Sequence, residues 1–213
     1  MRSDWVPLSA SALVIGAMLL VLGTVLDPAP PGASAGETFD ALVREEGRWQ
    51  ASAVMYALAS YALTLGLPTL VTRVGRPGRT LGLTAIAFVA LGVIGTWGYA
   101  MLLLVVRAAV IHDVVLRPEM GRLGHDPTLA LFIDVWVAAF YGGVLLLAVA
   151  LLLARSTPRW VPVLLVVFVA LLPVGGHLGR VGTAATVMVF AVAATGIATS
   201  AVSDARGPGA RAR

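Results

Sequence analysis

Apolar runs too long for the helices of a soluble domain recur along the whole chain. The first, Val6 to Leu26, contains no charged residue. At 1.5 Å per residue, about 20 helical residues cross the ~30 Å hydrocarbon core of a bilayer, so this run is long enough to span. The last, Val161 to Val202, is about twice that length and must cross twice. With 59% hydrophobic and 12% charged residues, the chain falls well below the roughly 25% charged content of soluble domains. It therefore reads as an all-α integral membrane helical bundle.

Turn chemistry divides the runs into six transmembrane helices. Asp27-Pro28-Ala29-Pro30-Pro31-Gly32 cannot continue the first helix, because proline lacks an amide donor and clashes with the preceding turn. Ala33-Ser34-Ala35 resembles a signal-peptide cleavage site, but the run before it exceeds the roughly 7–15 residues of a signal core, so an uncleaved span is expected. In residues 37–50, Phe39, Leu42, Val43 and Trp49 recur at helical spacing among Asp40, Arg44, Glu45, Glu46 and Arg48. This pattern suits a short amphipathic helix on the membrane surface, or a solvated charged helix, the reading that charge runs favour, capped by Ser34 with Glu37, or by Thr38. The remaining spans are expected at 51–71, 81–107, 129–154, 161–177 and 181–202, giving one domain over residues 1–203. Residues 204–213 read as a disordered cytoplasmic tail. Gly92, Gly95 and Gly98 predict close helix approach rather than a nucleotide loop, which would need a preceding strand. Pro118, Gly121, Gly124 and Pro127 mark the connection after the third span as turns.

Charge sets the expected orientation. Six spans put both termini on one side with Arg2, Arg73, Arg76, Arg79, Arg155, Arg159, Arg206, Arg211 and Arg213, opposed only by Asp4 and Asp204. The positive-inside rule makes that side cytoplasmic (N-in, C-in), and the plasma membrane is the expected location. The basic residues are scattered through short loops, so they read as topology signals, and no nucleic-acid partner is expected.

The polar residues at the other side are the candidates for chemistry. Asp134 lies within an apolar run, where an unpaired charge costs a few kcal/mol, and Arg107 on the adjacent antiparallel span is its expected partner. Pro173-Val174-Gly175-Gly176-His177-Leu178-Gly179-Arg180 interrupts the final run and admits two readings. Either the fifth helix stops near Val174 and the segment lines a wet cavity below the surface, or it continues to Leu178 and presents His177 at the interface. In the first case Asp134, Arg107, His177 and Arg180 border one outward-facing pocket. The Glu45-Glu46 pair is a further acid–base candidate, since neighbouring carboxylates raise one another's pKa. His112 and Asp113 are candidate binding residues. Together with His125, Asp126, Glu119 and His177 they lack the tight spacing of a zinc site, so no metal is expected. The chain has no cysteine for thiolate chemistry and no lysine for a Schiff base, and no histidine lies inside a span to hold haem; no cofactor is expected.

The layout resembles an uncharacterised, domain-of-unknown-function family of bacterial six-span membrane proteins. The resemblance rests on Arg44 and Arg48 before the second span. It rests also on Tyr141-Gly142-Gly143 leading through a leucine-rich stretch to Arg155-Ser156 and Pro158-Arg159-Trp160. It implies a six-helix fold and transfers no catalytic residue.

Three functions fit these features. The first is a non-enzymatic protein that binds a small amphiphile, or a membrane-protein partner, through an outward-facing polar pocket. The second is an integral-membrane enzyme acting on a lipid or isoprenoid, with Asp134 or Glu45 and Glu46 as acid–base groups and His177 and Arg180 positioning an anionic group. The third is a small transporter with three-plus-three inverted halves. The partners expected are the lipid bilayer and, depending on the function, a lipid or hydrophobic small molecule or a membrane-protein partner.

Overall fold

The structure, a computed structural model, describes residues 5–29, 31–75 and 77–205, and every regular element among them is helical. Six helices are long and apolar enough to cross a membrane: α1 (Trp5–Leu26), α3 (Glu46–Arg73), α4 (Arg79–Ile111), α6 (Pro127–Ala154), α7 (Trp160–His177) and α8 (Gly179–Ala205). Two short ones, α2 (Ala35–Arg44) and α5 (Arg117–Gly124), lie in the connections at one end, which we call the capped end. The opposite end, where α1 begins and α8 finishes, is the terminal end.

Local chemistry explains most boundaries. Ser34 caps α2 through a reciprocal pair: its hydroxyl accepts from the Glu37 amide at 3.3 Å, and the Glu37 carboxylate accepts from the Ser34 amide at 2.7 Å. Asp126 caps α6 by accepting from the amides of Thr128 and Leu129, both at 2.9 Å, with Pro127 in the first turn, where its missing donor costs nothing. The expected surface segment 37–50 is shorter than its pattern. Glu45 breaks the helix and Glu46 opens α3, so the second span starts several residues before 51. The connection read as turns contains α5, whose Met120 is buried, while Arg117 pairs with Asp40 of α2 at 2.8 Å. Of the expected tail, Asp204 and Ala205 still belong to α8, and 206–213 lie outside the described residues.

The six long helices pack as a closed ring in the order α1, α3, α4, α6, α7, α8 and back to α1. Their inward faces form a core of Leu13, Val93, Val144, Leu151, Leu165 and Ala194 with their neighbours. The outward faces are apolar too: Leu8, Leu65 and Val181 are 75%, 67% and 82% exposed. Helices hydrophobic all round belong in a lipid environment or a large protein interior, and this ring has lipid-compatible surface on every side. Hydroxyls inside the ring are satisfied by neighbouring backbone. Ser60 donates to the Val93 carbonyl at 2.6 Å, Ser52 to Gly23 at 2.9 Å and Ser9 to Leu65 at 2.8 Å.

The glycine series of α4 does what its spacing predicts. A Cβ on Gly92 would sit 2.5 Å from Cβ of Phe140, Gly95 faces Trp136, and a Cβ on Gly98 would meet Phe132 at 3.1 Å. Phe132, Trp136 and Phe140 succeed one another by one turn on α6, so an aromatic ridge fills a glycine groove. At the terminal end Arg73 is only 6% exposed and donates to Ser156 O at 3.2 Å, Ser200 O at 3.3 Å and Asp204 Oδ2 at 2.6 Å. One guanidinium thereby ties α3 to the α6–α7 loop and to the end of α8.

Of the two readings of residues 173–180, the continuous helix is observed. α7 runs through Pro173 to His177, and the chain turns at Leu178 and Gly179, the latter at φ +68°. Gly175 is buried because a Cβ there would lie 2.5 Å from the Thr186 hydroxyl, so the α7–α8 hairpin closes tightly on it.

Candidate functional site

The ring encloses a cavity of about 510 Å³ in its capped half. Each helix contributes through residues whose side chains point inward at that depth: Leu20 and Thr24 from α1, Tyr56 from α3, and Thr96 and Tyr99 from α4. Trp136, Val137, Phe140 and Tyr141 come from α6, Phe168 from α7, and Thr183, Val187 and Phe190 from α8. Asp27 and Pro31, from the strap joining α1 to α2, close the capped end together with Arg180. Seven of the fifteen aromatic residues of the chain therefore meet at one place.

Their rings form a continuous wall. Tyr56 meets Tyr99 edge-on at 5.9 Å, and Tyr99 stacks on Trp136 at 5.0 Å. Deeper in, Phe140, Tyr141, Phe168 and Phe190 pack at centroid distances of 5.2–6.5 Å. Such pairs are stabilised by about 0.5–1.5 kcal/mol each beyond their buried area. α6 and α7 pack more sparsely against each other than any other neighbours in the ring, and Val137 of α6, which lines the cavity, is exposed.

The polar groups of the cavity fall into two sets. Threonine hydroxyl hydrogens are already committed to their own helices: Thr24 donates to Leu20 O at 2.9 Å, Thr96 to Gly92 O at 3.0 Å and Thr183 to Gly179 O at 3.1 Å. Thr24 and Thr96 in turn accept from the Tyr56 hydroxyl at 3.3 Å and Trp136 Nε1 at 3.2 Å. The hydroxyls of Tyr99 and Tyr141 have no hydrogen-bond partner among the described residues.

At the capped end the strap is held by two arginines. Arg180 donates to the Pro28 carbonyl and Arg48 to that of Val25, the latter at 3.2 Å. Between them Asp27 Oδ1 accepts from the Ala29 amide at 3.0 Å. Burial pushes the Asp27 carboxyl above its ordinary value of 3.8, while the Ala29 amide and the charges of Arg180 and Arg48 pull against that rise.

The residues expected to share one pocket are dispersed. Arg180 lines the cavity. Arg107 does not pair with Asp134; it donates to Glu46 of α3, and Asp134 is exposed with no ion-pair partner among the described residues. His177 is exposed at the end of α7. Glu45 pairs with Arg48 instead of acting beside Glu46. His112 and Asp113 are exposed at the end of α4, Asp113 at φ +55°. Among the described residues no three His, Asp or Glu side chains come together as a metal site.

Sequence reasoning passed over Asp27, read only as a helix terminator, and the tyrosines and tryptophan of the spans. Their common depth was visible: Tyr56, Tyr99 and Trp136 each lie about ten residues, roughly 15 Å of helix, from the capped end of their own span.

Comparisons with protein-family models, with curated proteins and with solved structures find no match to this chain.

Proposed function

We infer that the protein is a multi-pass plasma-membrane protein, with both termini cytoplasmic, that binds a small amphiphile in its aromatic cavity. The orientation rests on charge. Over the full sequence the terminal side carries nine arginines (Arg2, Arg73, Arg76, Arg79, Arg155, Arg159, Arg206, Arg211 and Arg213) against Asp4 and Asp204, whereas the capped side carries six arginines among nine acids. The capped end is then the outer face.

The binding reading is carried by one observation: a cavity of about 510 Å³, walled by seven aromatic side chains, whose charged groups are confined to its capped end. Concave, mainly apolar sites with a few convergent polar groups are the usual form of small-molecule sites. An amphiphile matches that polarity, with its head near Asp27 and Arg180 and its apolar part between the rings. The sparse α6–α7 seam gives the apolar part a route to the bilayer. The pocket anticipated from Asp134, Arg107 and His177 is replaced by this one, and of those charged groups only Arg180 takes part. Because Asp134, Glu45, Glu46 and His177 stand apart from the cavity, nothing in their placement favours the enzymatic reading.

Saturable binding of an isoprenyl alcohol to the purified protein in nanodiscs, followed by native mass spectrometry, tests the proposal. One molecule per chain is expected, and Val187→Trp, which fills the cavity, should abolish it. Equal saturable binding of the alcohol to the Val187→Trp variant, or a parent protein that takes up neither this alcohol nor a ring-bearing isoprenoid, would sink the reading.

A further inference from the structure

We propose that the amphiphile is an isoprenoid quinone, its planar ring seated between the aromatic walls and its carbonyl oxygens accepting from the hydroxyls of Tyr99 and Tyr141. This rests on the binding reading above and specifies its ligand. Among the described residues, the neutral hydroxyl hydrogens of the cavity divide cleanly. Those of Thr24, Thr96 and Thr183 go to backbone carbonyls of their own helices, and that of Tyr56 goes to Thr24. Only Tyr99 and Tyr141 retain donors without an acceptor, and both sit in the aromatic wall.

Each of these two phenols offers a hydrogen that has no acceptor among the described residues, and a ligand that brings acceptors gives both a partner. Tyr99 and Tyr141 lie on different helices, α4 and α6, so the acceptors are best carried on separated positions of one ligand. A quinone ring has two carbonyl oxygens, no donor of its own and flat faces that stack on rings. The stacked pair Tyr99–Trp136, with 25° between planes, places parallel rings in the cavity wall beside one of the free hydroxyls. An isoprenyl alcohol brings a single oxygen and no flat face, so it lacks the second, separated acceptor and the stacking surface. The isoprenoid tail leaves by the sparsely packed α6–α7 seam. Binding alone is proposed here, with no electron or proton transfer.

The test compares a naphthoquinone bearing a short isoprenyl tail with the isoprenyl alcohol of the same tail, each titrated into the protein in nanodiscs. The paired variant Tyr99→Phe with Tyr141→Phe keeps both rings and removes only the two hydroxyls, so the packing of the wall is retained; its melting temperature checks this. The quinone should bind the parent protein about tenfold or more tighter than the alcohol, and lose about five- to tenfold in the double variant, while the alcohol changes little. Equal affinities for the two ligands, or undiminished quinone binding by the double variant, overturns the quinone assignment and leaves amphiphile binding standing. Failure of both ligands to bind the parent protein removes the assignment together with the reading beneath it.

Discussion

The guanidinium of Arg180, at the start of α8, donates to the carbonyl of Pro28, in the strap between α1 and α2. The bond joins two segments that are distant in sequence and closes the charged end of the cavity. Arg180→Ala should therefore loosen the strap more than the bundle. Amide exchange at Ala29 and its neighbours is expected to quicken, with unfolding stability lowered by only about 1 kcal/mol, the usual size of one partly exposed hydrogen bond. Hydrogen-exchange mass spectrometry resolves the two. Uniform acceleration across α3 and α4 would show that Arg180 supports the ring itself.

Two carboxyls near that strap should respond to pH with opposite sign. Burial raises Asp27 above 3.8, so its contribution to stability is complete below 3.8 and is lost as pH rises through the raised folded-state value. Glu37 is lowered from 4.5, first by the Ser34 amide and then by the Ser34 hydroxyl. Its contribution is present above 4.5 and is lost as pH falls through the lowered value. Exchange protection of the strap should thus decline with rising pH through the range just above 3.8, while that of the first turn of α2 declines on acidification below 4.5. Asp27→Asn should flatten the first profile only.

The glycine groove of α4 allows a comparison within one helix pair. A Cβ at Gly92 would fall 2.5 Å from Cβ of Phe140, so α6 would have to move, and Gly92→Ala should cost about 1–3 kcal/mol despite the better helix propensity of alanine. Gly142 on α6 has nothing within 4 Å of its added Cβ, and Gly142→Ala should be neutral or stabilising by up to about 1 kcal/mol. Thermal unfolding in detergent measures both; equal effects would mean that the groove is not tightly filled.

What could be read from the sequence follows from how strongly physics fixes each feature. Bilayer thickness imposes run length, so all six spans are legible to within a few residues, apart from the early start of α3 at Glu46. α5 escaped because a helix of eight residues containing a proline and two glycines leaves no periodic signature. Rotation about a helix axis is harder to read than length, and it decided the charge pairing. Asp134 lies two residues, about 200°, from both Phe132 and Trp136, which face α4, and so it points away from that helix. Arg107 follows Leu103 by one turn, and the Leu103 carbonyl accepts from Trp49 of α3 at 2.9 Å, so Arg107 faces α3 and meets Glu46 there. The cavity was invisible for a different reason. Its wall is assembled from single residues on six helices, and only their shared depth hints at convergence.

That pairing yields the last expectation, in which the two acids rank opposite to the order that span adjacency alone implies. Glu46→Gln removes the partner of a guanidinium that is 25% exposed, and whose Nε is buried without a hydrogen bond among the described residues. Screening at the half-exposed carboxylate limits the loss to about 1 kcal/mol. Asp134→Asn removes no ion pair, and on an exposed face of an apolar helix it relieves a charge disfavoured near hydrocarbon, so stability should stay the same or rise. Unfolding of the two variants in the same nanodiscs measures the difference, and the Glu46→Gln, Arg107→Gln double variant should lose less than the sum of its parts. A larger loss for Asp134→Asn than for Glu46→Gln would instead assign Arg107 to Asp134 and require α6 to be rotated about its axis. Amphiphile binding should survive Asp134→Asn unchanged, because Asp134 faces away from the cavity that Asp27 and Arg180 close.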